Sequence, residues 1–110
     1  MSYLEKMLES KIQSKLIRKL ESEGAYVLKV SVCNKNGYPD VTAFMPDGTV
    51  EFYEVKQKGK KPRPLQEYRL KELSKYGKCY VYDGEAKRVY SGCEDSNDST
   101  EQEEQTTPDI

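Results

Sequence analysis

The 110 residues suffice for one ordinary domain, and with 34% charged residues and a mean hydropathy of -0.90 no stretch reaches the roughly 20 apolar residues of a membrane span. Zero histidines exclude Ser-His and Cys-His nucleophile pairs and His-ligated zinc, so any catalysis runs on carboxylates, lysines, hydroxyls or a metal. Three widely spaced cysteines (Cys33, Cys79, Cys93) form no C-x-x-C pair and read as reduced bystanders, two of them in strands, while the charge-laced start MSYLEKMLESK lacks a secretory apolar block and predicts a cytoplasmic protein.

Leu4, Leu8, Ile12, Leu16 and Leu20 recur every four residues before Gly24, which predicts an amphipathic first helix with a glycine stop. Ala25 to Cys33 is rich in Val and Tyr and reads as a strand ended by Asn34-Lys35-Asn36-Gly37. A second strand starts near Asp40 and alternates to Met45, Pro46-Asp47-Gly48 turns the chain, and Thr49 to Gln57 runs back as a hairpin partner. Lys58 to Pro64 (KGKKPRP) is an exposed basic loop, and Leu65 to Tyr76 has helical spacing before Gly77. Lys78 to Asp83 and Lys87 to Ser91 are short closing strands around Gly84, giving the order α-β-β-β-α-β-β. Residues 1–92 form the domain, and 93–110, almost free of apolar residues, are predicted to be a disordered acidic tail.

The net charge of -1 hides a segregation of signs. Seven acids and no base lie between Glu94 and Ile110, which leaves 12 acids against 18 bases, a net +6, in residues 1–93. Between Lys56 and Lys78 nine bases face only Glu67 and Glu72, an excess suited to phosphate.

A turn centred on Asp47 pairs residues whose numbers sum to 94 and so sets Asp40 opposite Glu54. Opposed like charges destabilise a sheet unless a cation sits between them. By the two-residue period of a strand, Lys56 lies on the Glu54 side, one step further on. Hard carboxylate oxygens so placed suit Mg²⁺ or Mn²⁺, which bridge to phosphate oxygens, and a lysine beside the metal can orient the attacking water. Phosphodiester cleavage fits this inventory.

Gly37-Tyr38-Pro39-Asp40, then Glu54-Val55-Lys56 across a hairpin, a basic loop and Pro64-Leu65-Gln66 resemble the virus-type replication-repair nuclease (VRR-NUC) domain of the PD-(D/E)xK nucleases, over about Glu9 to Asp83. The resemblance implies a restriction-endonuclease-like α/β core, a small mixed sheet flanked by helices. It also implies Mg²⁺- or Mn²⁺-dependent hydrolysis of DNA and homodimers that cut branched DNA such as Holliday junctions, in the cytoplasm of a bacterial or virus-infected host cell. Asp40 and Glu54, with the Val55 carbonyl, would be metal ligands, Lys56 would position the nucleophilic water, and Gln66 matches the family's glutamine near the site. For the family's first-helix glutamate, Glu9 and Glu5 compete, and Glu9 has the better spacing to Gly24. Gln13 falls where many members carry a second acid. Lys58, Lys60, Lys61, Arg63 and Arg69 are candidate phosphate contacts, independent of sequence and sensitive to salt. A non-catalytic DNA-binding module on the same fold is the alternative.

Overall fold

The four-residue recurrence of apolar side chains builds α1 (Tyr3–Ser22), which buries Leu16 and Leu20 on one face of a five-stranded sheet. A computed structural model describes residues 3–90; the expected boundary at residue 92, Cys93 and the acidic tail lie outside the described residues. The strands are β1 (Tyr26–Lys29), β2 (Val41–Phe44), β3 (Val50–Val55), β4 (Lys78–Tyr82) and β5 (Lys87–Tyr90), with α2 (Pro64–Leu73) between β3 and β4. The sheet order is β1-β2-β3-β4-β5, antiparallel except for the β3–β4 pair, which the α2 crossover makes parallel. This is the mixed sheet and the element order α-β-β-β-α-β-β expected from the sequence.

Strand periodicity divides the core into two layers. Val41, Ala43, Tyr53 and Val55 point toward α1, while Phe52, Cys79 and Val81 point to the other side and pack against Leu70 of α2. Burying a leucine as fully as Leu70 contributes roughly 1.5–3 kcal/mol. With helices on both faces, β3 is buried along its second half, the polar Glu54 included.

Several elements are shorter than their sequence pattern, two of them for a definable reason. The first strand does not run from Ala25 to Cys33: it stops at Lys29, the Val30 amide makes a last bond to the Asp40 carbonyl, and the chain leaves the sheet with Val32 91% exposed. Cys33 therefore sits in a loop, while Cys79 is in β4, where burial pushes its thiol up to about 11. The second helix ends at Leu73 rather than Tyr76, because Gly77 must lie against the Val50 carbonyl for β4 to pair with β3, a space any Cβ would fill. Among the described residues no helix is long and apolar enough to cross a membrane.

Candidate active site at the open end of the β2–β3 hairpin

Val41 pairs with Tyr53 and Phe44 with Val50, so the register sum is 94 and Asp40 stands opposite Glu54. The Met45 amide bonds the Thr49 carbonyl, which makes the odd-numbered pairs the hydrogen-bonded ones. Pro39 and Val55 would be the next such pair, but proline has no N–H to donate to the Val55 carbonyl. The other bond of that pair leaves the backbone ladder too: the Asp40 side chain, through Oδ2, accepts the Val55 amide at 2.9 Å. A residue's N–H and C=O leave an extended strand on the same side, so the Val55 carbonyl also opens toward Asp40.

The loop that presents Asp40 is tied to α2. Gly37, at φ +82°, brings its backbone so close to Leu65 that a Cβ there would lie 2.7 Å from Leu65 Cγ. Tyr38 stands edge-on to Phe52 and shares a 2.9 Å hydrogen bond with Thr42, while Arg69 Nε donates to the Asn36 carbonyl at 2.8 Å. Gln66, itself buried, accepts the Arg63 amide on its Oε1 at 2.8 Å and so closes the N-terminus of α2 below the basic loop.

Glu54 is 2% exposed and Lys56 7%. The Lys56 ammonium lies 3.7 Å from Glu54 Oε2, and Glu54 Oε1 is the one buried side-chain oxygen or nitrogen of the described residues without a hydrogen-bond partner. Burial first, and the Asp40 carboxylate second, push the Glu54 carboxyl up to about 8, against the pull of Lys56 and Arg63. Asp40 is raised too, mainly by burial, with the Val55 amide and Lys56 opposing. The Glu9 carboxylate on α1 raises both groups.

The structure thus brings Asp40, Glu54, Val55, Lys56, Glu9 and Arg63 to one end of the sheet. Two carboxylates forced together with an orphaned oxygen lack positive charge, which a hard divalent cation would supply. Among the described residues no three acids or cysteines form a ready cage, but Mg²⁺ keeps several waters and is commonly held by one or two carboxylates plus substrate phosphates. The donor set fits such an ion.

The remaining sequence candidates are dispersed. Glu5 pairs with Lys60 at 3.0 Å, Lys58 with Glu85 at 2.9 Å, and Arg69 with Glu72 at 3.0 Å, while Lys61 and Arg63 are exposed. Sequence reasoning passed over Lys11 and Lys15 on α1, which line a groove beside the site. The signal was present: no acid stands three or four residues from either lysine.

A search of solved structures finds a chain described as a VRR_NUC domain, 28% identical, with a TM-score of 0.59 over 70% of this chain and 86% of that one. No family model matches the sequence, and no curated protein matches it.

Proposed function

We propose, on its likeness to a VRR_NUC domain, that the chain is a nuclease domain and, more finely, a divalent-metal-dependent DNA endonuclease acting as a homodimer on branched DNA such as Holliday junctions. The observation that carries this reading is the buried pair of opposed carboxylates, Asp40 and Glu54, with an unpartnered Glu54 oxygen and the Lys56 ammonium at 3.7 Å. Asp40, Glu54 and the Val55 carbonyl would hold Mg²⁺ or Mn²⁺. A bound ion would acidify a water and neutralise charge building on the phosphate oxygens.

The chain's own groups do the rest. Lys56, buried at the end of β3, has a fixed stem and can aim its ammonium at the attacking water or at a phosphate oxygen. Arg63 bears on Glu54 from the basic loop and can take the scissile or adjoining phosphate. Lys61, exposed in that loop, extends the phosphate track. None of these groups reads a base edge, which favours selection by DNA shape over sequence.

Two cuts in a junction call for two sites, and a two-fold dimer supplies them. Tyr26, 70% exposed, Leu28 and Phe44 form an uncovered apolar strip on the β1–β2 end of the sheet, which favours self-association there.

The test is cleavage. Supercoiled plasmid and a four-way junction, incubated with Mg²⁺ or Mn²⁺, should be cut by the wild type and spared by Asp40→Ala and Glu54→Ala. Binding of the junction by the wild type without cutting would replace this reading with the non-catalytic module.

A further inference from the structure

Beside the carboxylate site, α1 and the β4–β5 turn enclose a groove of about 420 Å³. Leu8, Ile12 and Tyr82 give it an apolar lining, and Gly84 lies beside Ile12 with room for a methyl group between them. Lys11 and Lys15 line it from α1, and Gln57 and Lys58 from the segment that follows β3. The groove adjoins the carboxylate site along α1: Leu8 lines the groove, and the charge of the next residue, Glu9, acts on Asp40 and Glu54.

The two α1 lysines of the groove are uncompensated. Lys19, one turn further along α1, pairs with Glu23 at 2.8 Å, whereas Lys11 and Lys15 form no ion pair among the described residues. They stand four apart on one helix face, where like charges repel. The acid that lines the groove, Asp83, turns its Oδ1 to the amides of Glu85 and Ala86 instead. The third lysine of the lining, Lys58, is held by Glu85. A 42% exposed Leu8 in the lining and two unpaired ammonium groups call for a ligand with an apolar ring and anionic ends.

We propose that this groove receives an unpaired nucleotide of a DNA strand, its base against Leu8, Ile12 and Tyr82 and its flanking phosphates at Lys11 and Lys15. A duplex has no free base face to offer such a lining, and phosphate contacts alone need no apolar surface. The volume falls in the range of pockets that enclose small molecules, roughly 300–1,000 Å³. The inference deepens the nuclease reading and rests on it for the identity of the strand: the groove would sort DNA with a single-stranded arm next to the cut from continuous duplex.

Fluorescence anisotropy on the full chain in EDTA, where no cutting occurs, tests it with a short fluorescent oligothymidylate and a duplex of equal length. Lys11→Gln with Lys15→Gln should weaken single-strand binding roughly tenfold or more at 0.1 M salt and flatten its log–log salt slope by about 1.4. Duplex binding should fall by less than about threefold, because the same phosphates lie outside the groove. Leu8→Ala should weaken the single strand without moving the slope. Equal losses on both probes would reduce the lysines to a general attraction and overturn the proposal, as would no loss on either. The nuclease reading fails separately, by absence of Asp40-dependent junction cleavage in wild-type protein, whatever the groove does.

Discussion

Replacing Glu54 by glutamine keeps the shape of the side chain and removes its ionisation. In the metal-free protein the carboxyl is buried beside Asp40 and raised from 4.5 to about 8. A carboxyl raised by folding favours the folded state most below its unfolded value. That stability is lost as pH climbs from about 4.5 through about 8, at about 1.4 kcal/mol per pH unit, so on the order of 4–5 kcal/mol across the window. Glu54→Gln has no such pH dependence. Below about pH 8 the wild-type Glu54 is itself protonated, so the substitution takes no anion from Lys56 there, and the pull of Lys56 on the ionised form is already contained in the raised value; the slope carries the information. Urea unfolding in EDTA at pH 5.5, 7 and 8.5 measures it. The wild type should lose stability relative to Glu54→Gln by a few kcal/mol from the lowest to the highest pH, and saturating Mg²⁺ should cancel most of the difference. Parallel pH profiles would refute a buried, proton-hungry Glu54.

Three further outcomes follow from the same geometry. Lys56→Met preserves the buried stem and removes the ammonium, so junction cleavage should be abolished while DNA affinity stays within a few fold; a large loss of affinity would reassign Lys56 to binding. Gly37→Ala forces a side chain into a positive-φ position 2.7 Å from Leu65, and should cost about 1–3 kcal/mol by thermal unfolding and slow cleavage by loosening the Asp40 loop. Lys61→Gln with Arg63→Gln should lower the salt slope of duplex binding by about 1.8, and an unchanged slope would remove the basic loop from the DNA interface.

The carboxylate pairing was legible because it depends on two local rules, a tight turn at Asp47 and the alternation of a strand, and the register sum of 94 follows from them alone. The role of Pro39 in stopping the ladder needed the hydrogen-bond phase, which only the Met45–Thr49 rung reveals. The overlong first strand shows the limit of composition: Val30 and Val32 have strand propensity, but no neighbouring strand pairs with the backbone beyond Val30, and the exposed loop to Gly37 wins. Charge was read as a block from Lys56 to Lys78. The fold commits part of it to partners distant in sequence, Lys58 to Glu85 and Lys60 to Glu5, which no window of sequence contains. Glu9 shows the same dependence on topology, since its influence on Asp40 and Glu54 arises only because the first turns of α1 end beside β3.

The account stands on Asp40 and Glu54 sharing one divalent ion. Calorimetric titration of the metal-free 110-residue chain with Mn²⁺ at pH 7, repeated in buffers of different ionisation heat, reads the ion and the proton together. We expect saturable binding with release of close to one proton, because the ion displaces the proton held by Glu54, and loss of that binding in both Asp40→Asn and Glu54→Gln. Binding that survives both substitutions, or that releases no proton, would contradict it.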